Sequence, residues 1–193
     1  MSDPSSVSND FDFNHILTSQ ISRVEILKGN QSSVYGSGAI GGTINIFTKK
    51  PKKGFHKDFQ YNTGSNGLQN FAGSLSGANE KNSFYFSLER FHTDGISAMR
   101  HNDEKDRYRN NSLIAKYDYI FSNKLKIKSN LRFAETYLQY DKEIDTASAT
   151  HDEEVDGIES SSNVSLIYEI NKKFTNKITL AKTYIKRIYA ATE

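Results

Sequence analysis

A glycine-rich segment is the first place where this chain could bind a ligand. The run Gly36-Ser37-Gly38-Ala39-Ile40-Gly41 has the spacing G-x-G-x-x-G, which in dinucleotide-binding proteins joins a strand to the start of a helix. Here the glycines lead into Gly42-Thr43-Ile44-Asn45-Ile46-Phe47, an alternating β-branched run that predicts a strand. A βαβ pattern is absent from the surrounding sequence, and so is the Lys-Ser or Lys-Thr pair of a Walker A loop. The sequence therefore argues against a nucleotide-binding enzyme.

Other catalytic chemistry has little support in the sequence. The histidines, at positions 15, 56, 92, 101 and 151, are scattered and do not form pairs at zinc-ligand spacing. The chain has no cysteine, which excludes thiolate nucleophiles and disulfides. Its serine-rich stretches lack the strand–turn–helix context of a nucleophile elbow. We expect a protein that is not an enzyme.

Carboxylates cluster in two stretches that we expect to be long loops, at 95–107 and 141–160. The candidate acidic residues in and beside these stretches include Asp94, Asp103, Glu104, Asp106, Asp141, Glu143, Asp145, Asp152, Glu153, Glu154 and Asp156. Carboxylate oxygens on flexible loops are suitable ligands for Ca²⁺, although the spacing is not that of an EF-hand. A solvated, charged loop surface is the alternative interpretation.

Charge and hydropathy limit the remaining classes of protein. The 193 residues carry 25 basic and 23 acidic side chains, and the basic ones are spread out, so a nucleic-acid partner is not expected. Mean hydropathy is -0.66, and the sequence has no run of about 18 apolar residues such as a membrane helix requires. A membrane protein built from strands keeps a low mean hydropathy, because only alternate residues face lipid.

Beyond the basic, proline-containing break at 49–54, the hydrophobic pattern has a period of two. In 125–133 the odd positions are apolar except Ser129, and the even positions are polar. Similar alternation recurs along the chain and predicts about seven strands, joined by short turns at 79–81, 122–123 and 171–176 and by the two long loops. Short turns at one end and long loops at the other are typical of an outer-membrane barrel. A soluble antiparallel sheet covered on one face is the alternative.

Residues 21–50 resemble the end of the plug domain of TonB-dependent outer-membrane receptors. The resemblance rests on Ile21-Ser22-Arg23-Val24-Glu25-Ile26-Leu27-Lys28-Gly29, then Ser33-Val34-Tyr35-Gly36, then Ala39-Ile40-Gly41-Gly42-Thr43-Ile44-Asn45-Ile46. Asn30 departs from the family pattern, which usually has proline after the glycine. The resemblance implies a mainly β fold. Residues 1–50 would be the C-terminal part of a plug domain, and residues 51–193 about seven antiparallel strands of an incomplete 22-stranded transmembrane β-barrel.

The family takes up scarce, large ligands across the bacterial outer membrane with energy delivered by TonB. The segments Asp10-Phe11-Asp12-Phe13-Asn14-His15-Ile16 and Thr93-Asp94-Gly95-Ile96-Ser97 are most similar to the vitamin B12 (cobalamin) branch. The resemblance thus implies TonB, cobalamin and outer-membrane lipid as partners. A ferric siderophore or another iron chelate such as haem is the alternative ligand. A non-transporting β-sheet adhesion or interaction protein is the alternative from another class.

The resemblance also nominates site residues. The plug motif, with structural or coupling roles, comprises Arg23, Glu25, Gly29, Tyr35, Gly36, Gly41, Gly42 and Asn45. We expect Arg23 and Glu25 to make polar contacts with the barrel lumen that pulling by TonB would loosen, with solvated surface charges as the alternative. Calcium is the cofactor candidate, because acidic loops bind it in the B12 branch. Its candidate ligands here are Asp103, Asp106, Asp141 and Asp145.

The first residues have neither the basic nor the apolar region of a secretory signal. The resemblance implies that a TonB box and most of the plug precede residue 1 and that further strands follow residue 193. We therefore expect this chain to be a fragment that does not transport by itself.

Overall fold

The computed structural model describes residues 13–97, 105–141 and 152–191, which form two antiparallel sheets. Two 3₁₀ turns come first, at Phe13–His15 and Thr18–Gln20. The strands and the single short helix are β1 Ile21–Lys28, α1 Ser32–Tyr35, β2 Gly42–Thr48, β3 Gly54–Thr63, β4 Gln69–Ala78, β5 Asn82–Thr93, β6 Tyr108–Ser122, β7 Leu125–Asp141, β8 Asp152–Asn171 and β9 Phe174–Ala191. Within these ranges, no helix is both long and apolar enough to cross a membrane.

The first sheet is a hairpin of β1 and β2, with the glycine-rich segment as its connection. Val24 pairs with Ile46 and Ile26 with Ile44, as the alternation of both strands predicts. Asn30 Oδ1 accepts a hydrogen bond from the Ser32 amide at 2.9 Å, so a side-chain turn forms at the entry to α1. The strand that follows the glycines excludes a nucleotide site of the βαβ type in this segment.

Gly42 is required where β2 begins opposite the end of β1. Its φ is +154°, and a Cβ built on it would lie 2.6 Å from the carbonyl oxygen of Leu27. A side chain there would push the two strands apart, because the Leu27 carbonyl is fixed by strand pairing. Gly41, the preceding residue, has open space around its Cβ position.

The second sheet has seven strands, each paired antiparallel with its neighbours in chain order from β3 to β9. The connections at 79–81, 123–124 and 172–173 are short and lie at one end, which we call the short-turn end. At the opposite end, β5 ends at Thr93, β6 begins at Tyr108, β7 ends at Asp141 and β8 begins at Asp152. In the described structure β3 and β9 are the two edges, so the sheet is open.

The two faces of this sheet differ in polarity, as the period of two predicts. In β5 the side chains of Phe84, Phe86 and Leu88 point to one face and are 36–46% exposed. Those of Tyr85, Ser87 and Glu89 point to the other and are each 3% exposed. We call the first the outer face and the second, which contacts the N-terminal segment, the inner face. The buried centre of the molecule is therefore largely polar.

The expected loop at 141–160 is wrong, because β7 continues to Asp141 and β8 begins at Asp152. Tyr140 pairs with Glu153 and Tyr137 with Asp156, so the backbone ladder runs well past the apolar part of the sheet. Polar residues stand on both faces of the strands here, with Leu138 and Val155 as an apolar pair among them, so the regular hydrophobic alternation that marks a strand in the sequence is lost. The acidic residues 153, 154 and 156 consequently belong to β8.

We predict that Gly42→Ala destabilises the hairpin by roughly 1–3 kcal/mol, because the new methyl group meets the Leu27 carbonyl in a backbone conformation that disfavours side chains. Hydrogen exchange of the full-length protein that carries this chain should become faster in β1 and β2. Gly41→Ala is the matched control, and its exchange should equal that of the wild type. Equal protection in Gly42→Ala and Gly41→Ala would contradict the packing role of Gly42.

Candidate functional site

The N-terminal segment is fastened to the inner face of the seven-stranded sheet through polar groups. Its second 3₁₀ turn supplies two of them. Gln20 Nε2 donates to Ser112 Oγ on β6 at 2.9 Å, and Ser19 Oγ donates to the carboxylate of Glu89 on β5. Gln20, Ser112 and Glu89 are all buried. These side chains have lost water, so their mutual hydrogen bonds are what makes their burial tolerable.

The backbone carbonyl of His15 forms the second contact. It accepts hydrogen bonds from Asn110 Nδ2 at 3.1 Å and from Arg132 Nη2 at 3.2 Å. Asn110 is fully buried, and the same nitrogen donates to the hydroxyl of Tyr108 at 2.9 Å. A main-chain acceptor held by two side chains fixes the position of the first turn irrespective of the side chain at position 15.

Arg132 connects this contact to an ion cluster within the sheet. Its Nη1 lies 3.0 Å from Glu159 Oε2, and Arg187 Nη2 lies 3.6 Å from the other oxygen of the same carboxylate. Glu159 is only 5% exposed. Because the guanidinium is planar and rigid, the bond to Glu159 orients the remaining N–H groups toward the His15 carbonyl.

The end of the hairpin has its own attachment. Lys116 Nζ on β6 donates to the carbonyl oxygen of Lys49 at 2.8 Å and to that of Thr48 at 3.3 Å, and it also contacts the Thr48 hydroxyl. The open end of the hairpin, where Ile21 pairs with Thr48, is thus held on both strands, by β5, β6 and β7 at residues 15–20 and by β6 at residues 48–49. We call these attachments together the hairpin–sheet interface.

The plug-motif residues nominated from the sequence lie mainly within the hairpin. Arg23 Nε is 2.7 Å from Glu25 Oε1, and its guanidinium lies 3.9 Å from the centre of the Phe47 ring. Both charged side chains are about half exposed. The partners described for this pair are thus in the hairpin itself, and its contact with a barrel lumen stays a prediction.

The remaining motif residues close the glycine-rich connection on itself. Asn45 Nδ2 donates to the Tyr35 hydroxyl at 3.2 Å, and the Gly29 amide donates to the Gly41 carbonyl at 3.2 Å. Gly36 ends α1 with a φ of +91°. These contacts give the motif a local structural role.

Sequence reasoning did not nominate the residues of the hairpin–sheet interface. A signal for the sheet side does exist, since the inward positions of β5 to β7 are polar and regularly spaced. No comparable signal marks residues 15–20, which contact the sheet from short 3₁₀ turns, partly through the main chain.

Two of the four calcium candidates, Asp103 and Asp145, lie outside the described residues. Asp141 ends β7 and accepts a hydrogen bond from Ser97 Oγ at 3.1 Å, while Asp106 precedes Arg107, whose carbonyl pairs with the Gln139 amide. Asp106 and Asp141 are therefore at the same end of the sheet. The described parts of the chain contain no group of three or more His, Cys, Asp or Glu residues arranged to hold a metal. Calcium stays a prediction.

Asp94 organises the same end of the molecule. Its carboxylate lies 3.0 Å from Lys105 Nζ and 3.3 Å from His92 Nε2. The hydrogen bond and charge of Lys105 lower the pKa of Asp94 below its ordinary value. This ion pair joins the two ends of the connection between β5 and β6.

Comparison with known proteins identifies the first part of the chain. Residues 2–43 match the model of the TonB-dependent Receptor Plug Domain. The chain is also 31% identical over 107 residues to the vitamin B12 transporter BtuB of Photobacterium profundum. That match covers 54% of this chain and 18% of the relative, so the chain spans less than a fifth of that protein's length. Both findings agree with the resemblance read from residues 21–50.

We predict that Arg132→Gln loosens the first 3₁₀ turn, because it removes a donor to the His15 carbonyl and leaves Glu159 with a weakened partner. A charge-assisted hydrogen bond contributes about 1.5–3 kcal/mol, so amides in residues 13–20 of the full-length protein should exchange at least about tenfold faster.

Arg23→Gln is the matched control, since Arg23 is exposed and pairs within the hairpin. Its exchange in residues 13–20 should stay at the wild-type rate. If Arg132→Gln also leaves those amides protected, the carbonyl contact does not hold the segment.

Proposed function

The chain carries the plug segment of a TonB-dependent receptor, and from this premise we propose that it belongs to an outer-membrane receptor that takes up vitamin B12. In this proposal residues 1–50 are the end of the plug and residues 51–193 are the first strands of the barrel wall. The observation that carries it is the hairpin–sheet interface, in which a plug-like hairpin is held on the polar face of a sheet whose other face is apolar. The match to a receptor family and the similarity to a transporter favour this function over a non-transporting sheet protein.

The outer face has the dimensions that a lipid-facing wall requires. On β7 the apolar side chains run from Leu125 to Phe133, which is about 27 Å along a strand at roughly 3.4 Å per residue. At a strand tilt of about 40° this covers about 21 Å of height, close to the roughly 25 Å apolar band of such barrels. Short turns lie on the periplasmic side of these barrels, which assigns the short-turn end to the periplasm.

The inner face suits a plug that must stay closed and yet be released. The hairpin–sheet interface is built from separate hydrogen bonds at His15, Ser19, Gln20, Thr48 and Lys49. A neutral bond such as Gln20–Ser112 contributes about 0.5–1.5 kcal/mol net and a bond to a charged group about 1.5–3 kcal/mol, since water replaces the partners when the bond breaks. A pulling force from TonB would break them in succession, while an apolar seam would resist until it separated as a whole.

The coupling residues follow from this arrangement. Ser19 and Gln20 directly precede β1, so a pull from the N-terminal side reaches their bonds to β5 and β6 before it reaches the hairpin. In our proposal the Arg23–Glu25 pair keeps β1 attached to β2, through Phe47, while those bonds break. Lys116 holds the second strand of the hairpin at Thr48 and Lys49, at the same open end as Gln20 and next to the proposed domain boundary at residue 50.

Vitamin B12 is the proposed ligand because the relative with that printed function aligns over half of the chain. A ferric siderophore and haem are the alternatives. Calcium is proposed to order the ligand site through Asp103, Asp106, Asp141 and Asp145. Of these, Asp106 and Asp141 lie at the end of the sheet opposite the short-turn end.

Joining the plug to the wall should stop transport without stopping ligand binding. We predict that a full-length receptor with Gln20→Cys and Ser112→Cys, and without other reactive thiols, loses cobalamin uptake when a short bismaleimide links the two positions. Binding of cobalamin to the cells should persist, because the linked side chains lie within the hairpin–sheet interface and away from the proposed ligand site opposite the short-turn end.

The control is a pair within the sheet, Ser87→Cys and Ile114→Cys, which face each other on the inner surface of β5 and β6. The same reagent should leave its uptake intact. Uptake that continues in the Gln20–Ser112 cross-linked receptor would show that this interface need not open.

Ligand and cofactor are tested by binding to the purified full-length receptor. We predict saturable binding of cyanocobalamin that tightens when Ca²⁺ is added, and loss of the Ca²⁺ effect in a receptor with Asp106→Asn and Asp141→Asn. Glu80→Gln, in a turn at the opposite end of the sheet, is the matched control. Binding of only haem or a ferric siderophore would replace the proposed ligand, and Ca²⁺-independent binding would remove the proposed cofactor.

A further inference from the structure

The outer face has an apolar groove near its first three strands. Gly73 on β4 lies between its register partners Phe59 on β3 and Leu88 on β5. Gly73 has no side chain, and a Cβ there would meet open space. The groove has a volume of about 420 Å³, and its apolar lining consists of Phe59, Phe71, Gly73, Leu75, Phe86 and Leu88.

The walls of this groove are exposed apolar side chains. Phe59 and Phe71 pack edge to face with ring centroids 5.0 Å apart, and both are largely exposed. Leu75 and Phe86 form the row below Gly73, toward the short-turn end. Asp58 and Ser74 contact each other on the opposite face at 3.4 Å, so their polar side chains do not enter the groove.

A positively charged side chain, Lys57, lies at the short-turn end of the groove. Lys57 pairs with Leu75, one row nearer that end than the Phe59–Gly73 pair, and it contributes to the lining. Its ammonium lies 5.5 Å from the centre of the Phe55 ring, so the side chain bends toward the short turns. Lysine stems on lipid-facing surfaces bend in this way to bring the charge to the membrane interface.

We propose that this groove binds a glycerophospholipid from the leaflet on the short-turn side, with its phosphate on the Lys57 ammonium and an acyl chain over Gly73. The order of chemical groups supports this occupant. From the membrane interface toward the membrane mid-plane, the protein presents first a cation and then an apolar groove, and a phospholipid presents first its phosphate and then its acyl chains. The inference rests on the proposed function, which places the outer face in lipid. A free phosphate ion would use only Lys57 and leave the groove empty.

The test uses the full-length receptor in lipid nanodiscs that contain a small fraction of phosphatidylglycerol with a photoreactive diazirine in its acyl chain. After irradiation, peptide mass spectrometry locates the label. We expect labelling to concentrate on peptides that contain Phe59, Phe71 and Leu88, above that of other outer-face residues such as Leu131 and Val164. Uniform labelling of all outer-face apolar residues would overturn the site.

Two variants separate the acyl and headgroup contributions. Gly73→Leu places a side chain in the groove, starting from a Cβ position with open space, and should lower groove labelling about tenfold, since roughly two methylene contacts are lost. Lys57→Gln should lower it about fivefold, the effect of one lysine on an anionic lipid surface. The matched controls are Ser162→Leu and Lys182→Gln, outer-face positions on β8 and β9, which should label like the wild type. Equal labelling in Gly73→Leu and wild type would overturn the groove, and equal labelling in Lys57→Gln would overturn the phosphate contact.

The source of the phosphate is tested with two further probes. Excess inorganic phosphate should leave labelling unchanged, whereas competition by it would assign Lys57 to a free anion. Diacylglycerol with the same diazirine chain should label the wild type as weakly as phosphatidylglycerol labels Lys57→Gln, and equal labelling by both lipids would contradict a headgroup contact. Cobalamin uptake, measured on the same variants, should stay at the wild-type level. If the wild-type receptor shows no cobalamin uptake, the proposed function is refuted but the lipid site is not, because the labelling pattern is measured independently of transport.

Discussion

The contact between Arg132 and the His15 carbonyl is the interaction on which the arrangement of the two sheets depends. Arg132 lies on the inner face of β7 and is oriented by Glu159, so a buried charge pair within the sheet positions a donor for the hairpin segment. A buried charge is costly unless it is paired and hydrogen-bonded. The His15 carbonyl and Glu159 together meet that requirement, which links the stability of the sheet's inner face to the position of the N-terminal segment.

The same constraint explains why the buried centre of this molecule is polar. Strand alternation directs apolar side chains to the outer face, so the inner face is left with Ser87, Glu89, Asn110 and Ser112. These groups need hydrogen-bond partners, and the N-terminal segment supplies several of them. In the proposed receptor, such individual polar bonds would define one position of the plug and could still be broken one at a time by a pulling force.

The sequence predicted the parts of the fold that depend on side-chain polarity. Alternation in 125–133 placed the core of β7 and its outer face correctly, and the short turn after Ser122 followed from the residues between two alternating runs. The extension of β7 to Asp141 was missed because polar residues stand on both strand faces there, and main-chain pairing leaves no trace in composition. Of the candidate site, the sequence predicted the plug motif but not the hairpin–sheet interface. The contact at His15 uses a backbone carbonyl, which no side-chain pattern encodes.

An experimental structure of the full-length receptor in a lipid nanodisc tests the central claim most directly. The account predicts that residues 13–20 lie on the inner face of the sheet, with the His15 carbonyl within hydrogen-bond distance of Asn110 and Arg132 and with the apolar outer face in contact with lipid. A structure in which residues 13–20 are docked elsewhere, with Arg132 and Glu159 facing open water, would contradict it.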